Sequence, residues 1–220
     1  MSQPTPPARW ARRLLPALGL AVLGSAWLIW TGRASPPSGP VQALSASASC
    51  ATRTYAEIGG PFELVGPSGE TVTEADLKGR DSLVFFGFTY CPDVCPMALF
   101  TLGQAIDQLP EGVPAPRTVL ITVDPERDTP EVLATYLSDP SFPQDSLGLT
   151  GSSEAIRAVA NAFKADYRRV NDDSSAAGYT MDHTSIIYLM DENWELKSFF
   201  THEDSPVTIS NCLADLAPTG

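Results

Sequence analysis

Residues 83–95 have the sequence LVFFGFTYCPDVC. The apolar run from Leu83 to Phe88 predicts a buried strand, and Cys91 and Cys95 follow it directly. A strand that delivers two cysteines to the first turn of a helix places both sulfurs near unpaired backbone N–H groups, which favour the thiolate. The thiolate is the form that binds metals and attacks disulfides. The segment therefore predicts a chemical role for the cysteine pair.

Strands and helices alternate on both sides of this segment. Residues 62–65 and 71–73 are predicted to form a hairpin before it, and apolar residues recur at helical spacing from Cys95 until Pro110. Residues 118–123 predict a second strand of the sheet. The remaining predicted elements are helices that begin at Pro130, at Ser152 or Ser153, and at Ser205 or Pro206, and strands over residues 184–190 and 196–200.

This order of elements predicts an α/β domain with a parallel sheet and an antiparallel edge. Cysteines that follow an early strand make the pattern that of a thioredoxin-like fold, with the hairpin as an N-terminal β-hairpin extension. The polar residues 171–178 have the composition of a loop that precedes the closing strands.

The N-terminal region differs in composition from the rest of the chain. Residues 14–30 contain no charged residue, and three arginines lie shortly before them. This pattern predicts a single transmembrane helix whose arginine-rich side stays in the cytoplasm while the rest is exported. A cleaved signal peptide is the alternative, but residues 32–34, Gly-Arg-Ala, make a poor cleavage site. The predicted organisation is a cytoplasmic tail at 1–13, a transmembrane anchor at 14–30, a flexible linker at 31–50 and the thioredoxin-like domain at 51–220.

The chain is acidic, with 26 Asp and Glu residues against 14 Lys and Arg residues and a formal net charge of −12. All the acidic residues lie after residue 50, in the part predicted to be exported. Nucleic acid is excluded as a partner, because like charges repel and nucleic-acid binding needs clustered basic residues. Solubility is the simpler interpretation of this charge, and an acidic docking face for a basic partner protein is the alternative.

Two further cysteines, Cys50 and Cys212, lie at the end of the linker and near the C-terminus. In an oxidising compartment a structural disulfide between them would tie the start of the domain to its last helix. Connectivity does not follow from sequence alone, so the pairing stays open. Lipid attachment at Cys50 is disfavoured, because the apolar segment does not run up to this residue.

Three residues separate Cys91 from Cys95, whereas thioredoxin-type reductases have two. The extra residue places the sulfurs one helical turn apart on the same face, where two thiolates can bind one soft metal ion. A disulfide across the pair is also compatible with this spacing, so redox chemistry stays open. Soft thiolates select Cu(I) or zinc and imidazole suits copper, so histidine is the expected third ligand.

Of the two histidines, His183 is the stronger candidate ligand. It lies where an irregular loop is expected to enter the strand over residues 186–190. In a thioredoxin-like sheet this strand runs antiparallel to the cysteine-bearing one, so its start meets the edge that carries Cys91. His202 closes the next strand, about 4.8 Å further out, and is predicted to be a solvated surface residue. A structural role for His183 in its own loop is the alternative.

Two carboxylates flank these candidate ligands. Asp182 is a candidate partner that orients the His183 ring, although capping of the loop backbone explains it equally well. Asp93 lies between the cysteines and is a candidate for a hydrogen bond to the loop or for tuning the site. It is not predicted to be a ligand.

Three parts of the chain together resemble the SCO/SenC family, the membrane-anchored copper proteins needed for cytochrome c oxidase assembly. They are residues 86–96 (FGFTYCPDVCP), residues 122–130 (TVDPERDTP), and residues 182–185 (DHTS) with residues 187–191 (IYLMD). The similarity spans residues 57–216. It implies that Cys91, Cys95 and His183 bind copper. Cu(I) is the expected ion, and binding of Cu(II) stays open. The other two cysteines lie outside the family motif.

These residues support three candidate functions. The first is a copper metallochaperone, not an enzyme, that passes copper to the dinuclear copper site of cytochrome c oxidase subunit II on the periplasmic side of the inner membrane. A periplasmic copper chaperone or a thiol reductase is a further expected partner. The second is a thiol–disulfide oxidoreductase in which Cys91 and Cys95 keep the oxidase cysteines reduced and His183 is dispensable. Peroxidase activity leaves the nearby second cysteine and the histidine unexplained. The metallochaperone is the preferred hypothesis.

Overall fold

The computed structural model describes Cys50, residues 58–172 and residues 177–217. The predicted cytoplasmic tail, the transmembrane anchor and the linker up to residue 49 lie outside these residues. Within the described ranges, no helix is both long and apolar enough to cross a bilayer. The anchor therefore stays a prediction.

Strands and helices alternate along the described part of the chain. The strands are β1 (Glu63–Val65), β2 (Thr71–Thr73), β3 (Ser82–Gly87), β4 (Arg117–Thr122), β5 (Ser146–Leu149), β6 (Tyr167–Asn171), β7 (Tyr179–His183), β8 (Ile186–Met190) and β9 (Leu196–Thr201). The helices are α1 (Glu74–Leu77), α2 (Val94–Asp107), α3 (Pro130–Leu137), α4 (Ser153–Ala162) and α5 (Pro206–Asp215).

A five-stranded sheet with the order β5-β4-β3-β8-β9 forms the centre of the domain. The middle strand, β3, leads into the cysteines and pairs in parallel with β4 and antiparallel with β8. β4 pairs in parallel with β5, and β8 pairs antiparallel with β9. The predicted α/β class, the parallel sheet with an antiparallel edge and the thioredoxin-like arrangement are confirmed.

All six residues of β3 are buried, which explains why its sequence is a continuous apolar run and not an alternating one. On one face of the sheet, the Phe86 ring centre lies 5.4 Å from that of Phe163 and 6.2 Å from that of Tyr188. Phe163 also packs edge-on against Trp194, with ring centres 6.1 Å apart. These aromatic contacts hold the middle of the sheet in place.

Side-chain caps set where three of the helices begin. Thr129 accepts a hydrogen bond from a backbone N–H in the first turn of α3, and Pro130 is the first residue of that helix, as predicted. Ser152 caps α4, and Ser205 caps α5 with Pro206 at its first position. Because α2 and α3 follow the parallel strands β3 and β4, both helices begin at the same edge of the sheet. That edge carries the cysteines.

The predicted N-terminal hairpin is present as the antiparallel pair β1 and β2. Leu64 points into the core and is buried. Val65 exchanges backbone hydrogen bonds with Thr150, at 2.7 and 3.0 Å. The hairpin therefore packs back onto the domain through both a side chain and the backbone.

A second hairpin, β6 and β7, was not predicted. The two strands pair antiparallel, with Tyr167 opposite His183, and form a two-stranded sheet separate from the central one. The expectation that an irregular loop carries His183 is wrong, because this residue ends β7. The sequence of β6, Tyr-Arg-Arg-Val-Asn, is mostly polar and lacks the apolar signal of a buried strand.

Cys50 and Cys212 are joined by a disulfide, with their Cα atoms 5.1 Å apart. Cys212 lies in α5, so the bond ties the start of the domain to its last helix. α5 packs in turn against α2, the helix that follows the cysteine loop. The pairing that the sequence left open is therefore made in this structure.

Candidate metal centre

The other two cysteines lie where β3 ends and α2 begins. Cys95 is in the first turn of α2 and fully buried, whereas Cys91 is half-buried in the loop before the helix. The backbone N–H of Cys95 donates to the Cys91 sulfur, 3.4 Å away. This contact is the one expected for a thiolate at a helix N-terminus. Both thiols are free.

His183 reaches the cysteines from the end of β7. Its Nε2 lies 3.6 Å from the Cys95 sulfur, and the ligand atoms of Cys91, Cys95 and His183 all lie within 4.8 Å of one another. The other ring nitrogen, Nδ1, is 3.1 Å from the carbonyl oxygen of Thr184. A hydrogen bond from Nδ1–H to this carbonyl directs Nε2 towards the sulfurs, where it can bind a metal ion once it carries no proton. The structure thus brings together the three predicted ligands.

Aromatic side chains form a wall around the imidazole. The His183 ring centre lies 6.2 Å from that of Phe85 and 5.8 Å from that of Phe88, both in edge-on arrangements. Both phenylalanines are almost completely buried. An apolar wall limits the movement of the ring and excludes water from that side of the site. Electrostatic interactions at the site are stronger as a result.

Neither flanking carboxylate contacts the imidazole. The Asp182 carboxylate accepts hydrogen bonds from Arg168 at 2.7 and 2.9 Å, on the exposed side of the hairpin. The Thr184 carbonyl takes the place next to Nδ1 that was proposed for Asp182, because neighbouring residues of a strand point to opposite faces. Asp93 is exposed and directly precedes α2, where it makes no side-chain capping bond. His202 is exposed beyond β9 and is not one of the three clustered residues.

The two thiols have opposite pKa shifts. A hydrogen bond from the Cys95 thiol is the main cause that lowers the pKa of Cys91 to about 4, against the opposing effect of burial and with a smaller contribution from His183. The same hydrogen bond raises the pKa of Cys95, and burial and the Cys91 charge raise it further. At neutral pH the metal-free pair therefore holds one proton, on Cys95, and Cys91 is a thiolate.

A buried carboxylate in the charged segment at residues 124–130 anchors the cysteine loop. Asp128 is fully buried and accepts hydrogen bonds from the Thr89 hydroxyl at 2.6 Å, the Thr89 N–H at 3.1 Å and the Thr122 hydroxyl at 2.6 Å. Burial raises the pKa of Asp128, while the hydrogen bonds from both threonines lower it. The contacts join the end of β4 to the residue two places before Cys91. The charges of residues 124–130 are the feature of the sequence that points to this contact. Asp124 and Arg127 of the same segment form an ion pair.

The fold and the site define a thioredoxin-like domain with a cysteine pair and a histidine arranged for a soft metal ion. A family model described as SCO1/SenC matches residues 51–217. The chain belongs to the SCO1/SenC family, and the predicted resemblance is confirmed.

Individual relatives agree with this assignment. The chain is similar to an SCO2-like protein of Rickettsia felis, 41% identical over 157 residues, which cover 71% of this chain and 76% of that protein. It is also similar to the copper-bound crystal structure of Arabidopsis thaliana ScoI, with a TM-score of 0.68, 35% identity, and coverage of 72% of this chain and 97% of that one. Copper-bound Bradyrhizobium japonicum ScoI matches with a TM-score of 0.63, 38% identity, and coverage of 72% and 99%.

Proposed function

We propose that the chain is a copper metallochaperone that holds copper with Cys91, Cys95 and His183. It delivers the ion to the dinuclear copper site of cytochrome c oxidase subunit II. The observation that carries the proposal is the convergence of these three side chains, whose ligand atoms lie within 4.8 Å of one another. Relatives of the same fold hold copper, and SCO/SenC proteins act in cytochrome c oxidase assembly.

The ligand set suits copper in both valences. Two thiolate sulfurs favour Cu(I), and an imidazole nitrogen suits copper in either state. Before the ion arrives, Cys91 is a thiolate and Cys95 holds the remaining proton. Cys91 is therefore the first donor, and tight binding of the ion releases the Cys95 proton.

Delivery requires that ligands of the partner reach the ion. Cys91 is half-buried, and two apolar side chains next to the pair are exposed, Tyr90 at 57% and Met97 at 54%. Large exposed apolar residues around a site are typical of a docking surface. A partner that docks there replaces the accessible ligands first, and the buried Cys95 sulfur is the last to leave.

The proposed location is the outer side of the inner membrane, with residues 14–30 as a single anchor and the N-terminus in the cytoplasm. The disulfide between Cys50 and Cys212 supports an oxidising compartment. A linker between the anchor and the domain lets the site work at a distance from the membrane. The copper is supplied there by another periplasmic copper chaperone.

Copper titration of the full chain and of His183→Ala, followed by absorption and EPR spectroscopy, tests the proposal. We expect His183→Ala to lose more than about 100-fold in copper affinity, beyond the loss typical of residues that only support a ligand. The Cys91–Cys95 disulfide should still form in this variant. His202→Ala is the matched control and should bind copper as the wild type does. Unchanged affinity in His183→Ala would remove the chaperone assignment.

A thiol–disulfide oxidoreductase that reduces the cysteines of the oxidase copper site is the second candidate. The opposite pKa shifts favour it, because Cys91 as a thiolate and Cys95 as a thiol match an attacking and a resolving cysteine. Oxidase assembly in cells that carry His183→Ala decides between the two functions. Loss of assembly supports copper delivery. Retention, together with loss in Cys91→Ser and Cys95→Ser, supports the oxidoreductase, because thiol exchange does not need the imidazole.

A further inference from the structure

One arginine side chain connects the cysteine loop to the His183 hairpin. The guanidinium of Arg127 lies over two tyrosine rings, 4.6 Å from the ring centre of Tyr90 and 3.7 Å from that of Tyr179. Tyr90 directly precedes Cys91, and Tyr179 begins the strand that ends at His183. The three residues Tyr90, Arg127 and Tyr179, called the arginine clamp below, therefore join the two halves of the metal centre.

Side chains attach the His183 hairpin to the domain at several points, and the contacts of Arg157 and Arg169 add to those of Arg127. Within the described residues, β6 and β7 pair with each other and with no strand of the central sheet. A cavity of 440 Å³ lies between the hairpin and the loop after β4, and its walls include Val123, Pro125 and Met181. Since strand pairing does not fix the hairpin against the sheet, side chains must do so.

Hydrogen bonds fix the position of the Arg127 side chain in the clamp. Its Nε donates to the Asp124 carboxylate, and its Nη1 donates to the Tyr179 carbonyl oxygen at 3.2 Å. The Tyr179 hydroxyl donates to the same carboxylate at 2.9 Å, so Asp124, Arg127 and Tyr179 close a triangle. The third nitrogen, Nη2, is buried and has no hydrogen-bond partner among the described residues. The guanidinium instead makes cation–π contacts with the two tyrosine rings. A planar guanidinium stacks on an aromatic ring better than an ammonium does.

We propose that Arg127 is a positioning residue that holds His183 close enough to the two sulfurs for all three side chains to bind one metal ion. The inference rests on the proposed function, since it concerns copper binding at the same three ligands. Arg127 is not one of those ligands. Its effect on copper therefore passes through the placement of the hairpin and of the imidazole at its end.

Competition titration of copper on the full chain tests the clamp with three variants. Arg127→Gln removes the charge, Arg127→Lys keeps the charge but not the planar group, and Arg168→Gln is the control. Arg168 lies on the same hairpin, but its ion pair with Asp182 is exposed. We expect both Arg127 variants to lose about tenfold in copper affinity, as for other residues that support a metal ligand, and Arg168→Gln to lose none. Wild-type affinity in Arg127→Gln overturns the inference.

A double-mutant cycle with His183→Ala separates positioning from a general structural role. In the His183→Ala background, Arg127→Gln should cause no further loss of affinity, because the ligand that it positions is gone. A tenfold loss that persists there overturns the inference. Wild-type affinity in His183→Ala alone removes the proposed function instead, so the two failures are distinguishable. If Arg127→Gln unfolds, Arg127→Lys replaces it in the double-mutant cycle, because lysine keeps the charge beside Asp124.

Hydrogen exchange of the copper-free chain supplies an independent readout. In Arg127→Gln the amides of β6 and β7 should exchange faster than in the wild type, while those of β3 stay unchanged. Equal acceleration in β3 shows general destabilisation and overturns the inference.

Discussion

The central strand β3 and the β6–β7 hairpin each carry part of the metal centre, and the fold holds them in different ways. β3 pairs over six residues with β4 and over four with β8, and every one of its residues is buried. The hairpin pairs only with itself within the described residues, and apart from Tyr167 its residues are half-buried or exposed. The cysteines follow the first region, and the histidine ends the second.

The proposed delivery of copper requires a site that binds the ion and then releases it, and the two regions suit these two requirements. Backbone hydrogen bonds on both sides of β3, together with the Asp128 carboxylate, fix the loop that carries the sulfurs. Side-chain contacts hold the imidazole, and these break at a lower free-energy cost than a central strand does. Fewer backbone contacts therefore hold the hairpin that carries the histidine than hold the strand that leads to the sulfurs.

The largest expected effect concerns the stability of the sheet. Phe86→Ala should lower the free energy of unfolding by about 4 kcal/mol, because it removes a buried ring from the centre of the aromatic core. Val170→Ala, in β6, should cost no more than about 1 kcal/mol. Denaturant unfolding of both variants measures this contrast. Equal losses would show that the hairpin is as much a part of the core as β3.

Removal of the disulfide should have the next largest effect. Replacing both Cys50 and Cys212 with serine frees two residues that are 162 positions apart and should cost about 3 kcal/mol of stability. Copper affinity should stay at the wild-type value, because neither sulfur is in the metal cluster. Unfolding curves and a copper titration of the same variant check both statements. A parallel loss of affinity would mean that α5 helps to position the Cys95 helix.

The smallest expected effect is on the pH dependence of the reactivity of the Cys91 thiol. Because its pKa is lowered to about 4, alkylation of the copper-free protein by iodoacetamide should stay fast as pH falls and slow only near that value. Folding lowers this pKa from 9.0, so the Cys91 thiolate adds stability that is fully present above pH 9.0 and lost as pH falls through about 4. The raised pKa of Cys95 opposes this contribution only above pH 9.0, because below that pH Cys95 is a thiol in both the folded and the unfolded chain.

The same measurement compares the two regions. Cys95, in the first turn of α2, is the main cause of the lowered Cys91 pKa, and His183 contributes less. His183→Ala should therefore raise the pH midpoint of alkylation by less than about one unit. A rise of several units would mean that the hairpin, and not the helix, controls the thiolate.

The elements that the sequence predicted well are those with a strong local signal. β3 is a continuous apolar run, α2 repeats its apolar residues at helical spacing, and Thr129 with Pro130 marks the start of α3. Each signal depends only on residues close together in the sequence, so it can be recognised without knowledge of the tertiary contacts. The three candidate ligands were identified for a different reason, since cysteine and histidine are recognisable by their chemistry, and the structure brings them together.

The missed strands are those whose stability comes from distant partners. β5 contains Gly148, which weakens a strand in isolation. In the fold a Cβ at this position would lie 2.8 Å from the Cβ of Leu133, so packing against α3 requires the glycine. β6 and β7 are mostly polar, and they pair with each other in a sheet separate from the central one. Their sequences therefore lack the apolar signal of a buried strand.

Residue types and their order along the chain were sufficient to predict the α/β class, the position of the cysteine pair and the choice of His183 over His202. Distances between separate segments needed the folded chain. Cys95 and His183 are 88 residues apart in sequence, and the pairing of the strands together with the side chains that attach the β6–β7 hairpin brings their ligand atoms to 3.6 Å. Local propensity carries no information about which distant side chain a group will meet. For that reason the Thr184 carbonyl beside the imidazole and the arginine clamp appear only in three dimensions.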